Sequence, residues 1–223
     1  MRTADHMNLS RYIMDHMDAG ASKLQKAAFI FGSIEPDINM LTYFRGSIHG
    51  EEKLRGHNYE NVMKYMEKLI KKLEKGGMGT VRQSFLLGKL VHYVADSFTY
   101  PHNSIFPGNL REHCQYETKL HDYVNRTISS VDVNVESIDD GRDIVEYLRE
   151  MHDMYVSEAP GCENDYRHIT NAISVVTERL WQTESVSVPS MRDVAIACKE
   201  HIPVTANVSM AAGKTGMDAT RVA

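Results

Sequence analysis

One segment constrains this chain more than any other. Across residues 80–98, Phe85, Leu86, Leu87, Leu90, Val91, Val94, Ala95 and Phe98 leave almost no polar face at helical spacing. A helix that is apolar nearly all round has no side to give to water, so it belongs in the middle of a bundle. The same helix carries His92 and Asp96, four residues apart and therefore stacked on one face. Burying an imidazole beside a carboxylate is costly unless both are satisfied. A lone core histidine usually finds a hydrogen bond. One with a core aspartate, followed by His102, His113 and Glu117, is hard to satisfy without a cation.

The remaining chain reads as helices around that centre. A first helix is expected from a cap at Thr3 to about Met17, with Leu9, Tyr12, Ile13 and Met17 on one face and Gly20 ending it. A second should run from Ala21 to Phe31 and stop in "GSIEPD", where Pro36 disfavours helix. Residues 38–56 read as a long loop; "NYENVMKYMEKLIKKLEK" resumes helix and is closed by Gly76–Gly77. Pro101 breaks the central helix. Further helices are expected over 109–128, 139–157, 163–184 and 190–201, bounded by Pro160, Pro189 and Pro203. No hairpin or repeat interrupts them. The expected fold is all-α, a single multi-helix bundle over 1–205 with a metal cluster in its core, followed by a flexible tail over 206–223.

Several function classes are disfavoured. No apolar run approaches a membrane span, and the opening "MRTADHMNLSRYIMDHMD" has no apolar signal region, so a cytoplasmic protein is expected. With 25 basic against 30 acidic residues the net charge is −5, which argues against a broad grip on nucleic acid. "KLIKKLEKGG" reads as a solvated helix face. Cys114, Cys162 and Cys198 form no closely spaced pair, so neither a disulfide framework nor a zinc ribbon is indicated.

His113 and Glu117 repeat the spacing of His92 and Asp96 on the next helix, and His102 follows the helix-ending Pro101. Imidazole and carboxylate at this spacing on facing helices is how bundles build di-metal sites. Nitrogen and oxygen donors without thiolate suit zinc and also permit manganese or iron. Either pair alone is common on surfaces; the buried helix gives the combination its weight. Of the other histidines, His16 reads as surface and His49 as a loop rival to His57. His121 reads as either a support for Glu117 or exposed, and His152, His168 and His201 have no partner pattern. Cys114 is assigned to packing. Tyr93, Phe98, Tyr100 and Phe106 either flank a cleft or fill the core.

The pattern His92, Asp96, His102, then His113 and Glu117, resembles the core of the zinc-dependent phospholipase C family, as does its context "FLLGKLVHYVADSFTYPHN". "FGSIEPDI" is similar to the family's glycine–proline–aspartate loop and places Asp37; "HNYENVMKYM" places His57 before a helix, and "DHMNLSRYIM" places His6. The resemblance covers about residues 5–125. It implies a cluster of two to three Zn2+ ions in an all-α domain. One ion would be held by His57, His92 and Asp96, with Asp37 beside it as ligand or general base. A second would be held by His102, His113 and Glu117, and a third by His6 with Asp96 bridging. In secreted members a processed amino-terminal tryptophan completes the third site, and this chain departs from that pattern.

The implied chemistry is phosphodiester hydrolysis by zinc-activated water, with Asp37 as proton acceptor. The expected partner is a phospholipid headgroup or a small phosphoester. Two rivals stay open: a zinc nuclease or 3′-nucleotidase on the same kind of bundle, and a non-catalytic domain that keeps zinc for folding.

Overall fold

The computed structural model describes residues 1–17, 20–45, 55–76, 79–128 and 142–182. In chain order the helices among them are α1 (Thr3–Met17), α2 (Lys23–Ile38), α3 (Tyr59–Gly76), α4 (Val81–Ser97), α5 (Leu110–Thr127), α6 (Ile144–Ser157) and α7 (Cys162–Gln182). Short 3-10 turns cover Met40–Phe44 and Tyr100–His102. The described residues contain no strand and fall within one unit, Met1–Ser185. The helix expected over 190–201, the tail over 206–223, His49, Cys198 and His201 lie outside the described residues.

Thr80 starts α4 with a reciprocal cap: its Oγ1 accepts from the Gln83 amide, and Gln83 Oε1 accepts from the Thr80 amide. Two donors that a helix start leaves open are thereby paired. From Leu87 to Ser97 every residue of α4 is buried, and α1, α2, α3 and α7 all pack against it. The one cation in that stretch, Lys89, is met by Glu35 of α2 at 2.6 Å. This is the central helix that the apolar pattern predicts.

The contact between α2 and α4 is the closest in the bundle because glycines face it from both sides. A Cβ on Gly32 would stand 2.1 Å from the Phe85 carbonyl oxygen, and one on Gly88 would stand 2.1 Å from that of Phe29. The two backbones touch, and any side chain at either position would separate them. Around this axis α3 turns Val62, Met66, Leu69, Ile70 and Leu73 inward while Lys68, Lys71, Lys72 and Lys75 face solvent. On the other side α7 contributes Ile169, Ile173, Val176 and Leu180 to the core. α5 buries only Leu120 and Val124, so it lies at the edge.

Three boundaries differ from expectation. α2 does not stop before Pro36 but carries it inside, ending at Ile38. Only Asp37 and Ile38 remain in the helix beyond the proline, and this end is tied off by a side chain and backbone: Thr42 Oγ1 donates to the Pro36 carbonyl at 2.6 Å, and the Asn39 amide donates to the Glu35 carbonyl at 2.9 Å. One missing helix bond near an end is tolerable where tertiary packing holds the rest. Asp37 therefore sits on a helix, not in a loop. α6 begins at Ile144 behind an Asp143 cap, inside the expected 139–157. In α1, Thr3 is the first helical residue rather than its cap, and Met14 joins Leu9 and Ile13 in the core.

Candidate metal centre

All eight residues singled out from the sequence gather into one cluster made of two neighbouring groups. Asp96, fully buried, is its hub. Its Oδ2 lies 3.1 Å from His57 Nδ1 and 3.2 Å from His92 Nε2, while its Oδ1 lies 3.2 Å from His6 Nε2. Asp37 approaches the same group from the end of α2, with Oδ1 3.6 Å from His92 Nε2 and 3.8 Å from His57 Nδ1. Beside this set, Glu117 Oε1 stands 3.3 Å from His102 Nε2 and 3.2 Å from His113 Nε2. Two sets of donor atoms each fit within 4.8 Å: His6, Asp37, His92 and Asp96, and separately His102, His113 and Glu117. The structure thus draws His6 into the first set, where the resemblance would set it with Asp96 alone, and places His57 against that set from α3's approach.

The imidazoles are oriented by partners behind them. His92 Nδ1 lies 2.8 Å from the Ser33 carbonyl, which can only accept, so Nδ1 carries a proton and Nε2 is the nitrogen turned inward toward Asp96. His57 Nε2 lies 3.0 Å from Thr42 Oγ1, whose hydrogen already goes to a backbone carbonyl. That leaves Thr42 as acceptor and frees His57 Nδ1 toward Asp96. A histidine fixed this way is a ready metal ligand. The close approach of α2 and α4, at Gly32 against Phe85 and at Gly88 against Phe29 and Ser33, is what brings Ser33 within reach of His92.

A positive charge already occupies the middle of this set. The Met1 amino group lies 2.8 Å from Asp96 Oδ1, 3.1 Å from Glu117 Oε1 and 3.4 Å from His102 Nε2. Burial works against its charge, but the Asp96 and Glu117 carboxylates prevail and raise it to about 11. Asp96, which burial would raise, is held well below the usual carboxylate range by His102, the amino group, His92 and His6. Glu117 is likewise depressed by the amino group and by hydrogen bonds from His102 and His113. Burial pushes His102 down to about 4. Three buried polar atoms, His6 Nδ1, His102 Nδ1 and Asp37 Oδ2, have no hydrogen-bond partner. Nitrogen and oxygen donors within reach of one another, imidazoles oriented from behind, and buried ring nitrogens left without partners fit divalent zinc.

A cavity of about 840 Å³ opens over the cluster, with Asp37, His57, His102, His113 and Glu117 in its wall. His6, His92 and Asp96 lie behind that wall. Cys114 also lines the cavity and is exposed, so packing is not its role. Phe106 borders the cavity, whereas Tyr93 and Phe98 are core residues. His16 is exposed, and its Nδ1 lies 2.8 Å from the Tyr12 carbonyl. His121 supports neither Glu117 nor the cavity; its Nδ1 meets the buried Asp5 at 2.5 Å.

Sequence reasoning missed the residues that hold the His102 turn. His152 of α6 lies 2.7 Å from Asn103 Oδ1, and Asn103 Nδ2 donates to the Ser97 and Thr99 carbonyls. The His152 ring is stacked on Tyr59 at 3.3 Å between centroids. From α7, Asp165 accepts the Tyr100 amide at 3.0 Å and the Tyr155 hydroxyl at 2.9 Å. The only signal in the sequence was a histidine without a partner.

The model of the zinc dependent phospholipase C family matches residues 5–162, which takes in every ligand-type residue above and runs on through α6. No curated protein and no solved structure matches the chain. Over seven-tenths of its length, and with the family's histidine–aspartate core gathered around one buried carboxylate, the chain belongs to the zinc dependent phospholipase C family.

Proposed function

We propose that the chain is a zinc-dependent phosphoric diester hydrolase acting on a phospholipid headgroup or a small phosphoester. The observation that carries this is the placement of Asp96: each of its oxygens faces different imidazoles, and the cavity opens beside them at Asp37 and Glu117. In this reading His57, His92 and Asp96 would hold one ion with Asp37 beside it, and His102, His113 and Glu117 would hold a second. His6, with Asp96, would serve a third. Zinc bound there supplies Lewis acidity toward phosphate oxygens and lowers the pKa of water.

The chain's own contribution is positional and protonic. Asp37 lies in the cavity wall and serves as acceptor for the proton that the attacking water gives up. Water's oxygen bonds to phosphorus as the ester bond breaks, and the departing alkoxide takes a proton from solvent at the open cavity to leave as the alcohol. Ser33 and Thr42 keep His92 and His57 in single tautomers, and Asn103 keeps the His102 turn in place.

The test is hydrolysis by zinc-reconstituted protein of a chromogenic phosphocholine ester, single-stranded DNA and a 3′-nucleotide. The ester should be the substrate. Preference for DNA or the nucleotide favours the nuclease reading, and zinc binding with no hydrolysis favours a structural centre.

A further inference from the structure

The cavity over the cluster has an apolar mouth. Met40 and Leu110 both line it, yet remain 64% and 77% exposed. Each belongs to a short segment with further exposed apolar side chains. On one side are Ile38, Leu41 (79% exposed) and Phe44, at and just beyond the end of α2; on the other is Ile105. Large apolar side chains are rarely left this exposed in two adjoining segments without a partner. Basic groups accompany them. Arg2 and Arg55 line the cavity, and exposed Arg111 directly follows Leu110. The nearby acidic Glu112 is engaged in the α5 cap, where its Oε2 accepts the Asn109 amide at 2.8 Å.

We propose that these two segments form a lipid-docking rim, which seats the cavity mouth on a phospholipid surface. The inference rests on the phospholipase reading above, because the rim is continuous with the cavity in which that substrate would be cleaved. A bilayer suits both halves of the rim: Leu41 and Leu110 meet acyl chains, while Arg55 and Arg111 sit at the level of the phosphates. No helix among the described residues is long and apolar enough to cross a membrane; the rim itself would meet lipid from the surface.

The test is sedimentation of the full chain with sucrose-loaded vesicles of phosphatidylcholine and phosphatidylglycerol, four to one. Wild type should partition to the vesicles. Leu41→Asp and Leu110→Asp should each weaken that partition at least about tenfold, the factor set by withholding one leucine side chain from the apolar phase. Leu24→Asp is the control: Leu24 is also exposed, but lies at the far end of α2, about 20 Å along the helix from Ile38. It should bind as wild type does. Absence of wild-type binding overturns the rim, as does a loss shared equally by Leu24→Asp. Vesicle binding unchanged in both rim variants, with a dimer in wild type that Leu110→Asp dissolves, assigns the face to self-association instead. Sedimentation needs no turnover, so vesicle binding without ester hydrolysis keeps the rim and rejects the hydrolase, and the converse result does the reverse.

Discussion

The carbonyl oxygen of Ser33 stands 2.8 Å from Nδ1 of His92, joining the backbone of α2 to the central histidine of the cluster. That distance depends on two helices meeting without side chains between them, at Gly32 and Gly88. Packing and metal chemistry are therefore linked through a single hydrogen bond.

Gly88→Ala should reveal the link. The added Cβ would fall 2.1 Å from the Phe29 carbonyl oxygen, a backbone atom that can yield only if the helices separate. Overpacking of this kind costs about 1–3 kcal/mol. Separation also takes Ser33 away from His92, so zinc affinity should fall by about tenfold or more, as when a ligand loses the group that orients it. Urea denaturation and a zinc titration read the two effects. A variant with wild-type stability and affinity means that the helices have slack the geometry does not show.

Metal removal should destabilise the fold. Asp37, Asp96 and Glu117 bring three carboxylates into one cluster, and Asp96 is fully buried. A cation that binds only the folded chain adds about 2.7 kcal/mol at a hundred times its dissociation constant. For a chain of this size that corresponds to about 5–10 °C in melting temperature. Chelation should lower the melting point by that order, and zinc should restore it. An unchanged melting curve would show that the fold does not draw stability from the cluster.

The parts of this architecture that were legible in the sequence depend on local spacing. His92 and Asp96 one turn apart, His113 and Glu117 one turn apart, and the continuous apolar run of α4 all express helix geometry directly. Pro36 misled because its local preference is to end a helix, while the packing of α2 on α4 and the bond from Thr42 carry the helix past it. That error placed Asp37 in a loop. The orienting partners could not be read because they arrive from elsewhere in the chain: Thr42 for His57, Ser33 for His92, and His152 for Asn103, 49 residues away. Spacing along one helix says nothing about which side chain a second helix will present.

The supports of the His102 turn should titrate in opposite directions. Burial holds folded His152 down at about 4, whereas the unfolded chain takes up that proton near 6.5. Its stabilising contribution is complete above about 6.5 and is lost as pH falls toward 4, up to about 3 kcal/mol. Burial raises Asp165 from 3.8 to about 6, so its contribution is complete below about 3.8 and is lost as pH rises through 6. Urea stability from pH 4 to 7 checks both. Relative to His152→Gln, wild type should lose ground in acid; relative to Asp165→Asn, it should lose ground as pH rises. A flat difference for either variant removes that residue from the argument.

Asp37 and Asp96 should separate proton transfer from metal retention. Asp37 closes α2 at the cavity wall, with Oδ1 no nearer than 3.6 Å to the imidazoles. Asp96 rises from the middle of α4, with its two oxygens facing different histidines and no exposure to solvent. Asp37→Asn should keep most of the zinc while turnover falls by roughly a hundredfold or more, the share a general base contributes. Asp96→Asn replaces one shared oxygen by an amide that cannot bind a cation, so zinc and activity should be lost together. Metal content and phosphodiester turnover, measured on the same purified variants, decide between the roles. If Asp37→Asn retains full turnover, another group accepts the proton. If Asp96→Asn keeps its zinc, the hub of the cluster lies elsewhere, and the two donor sets act independently.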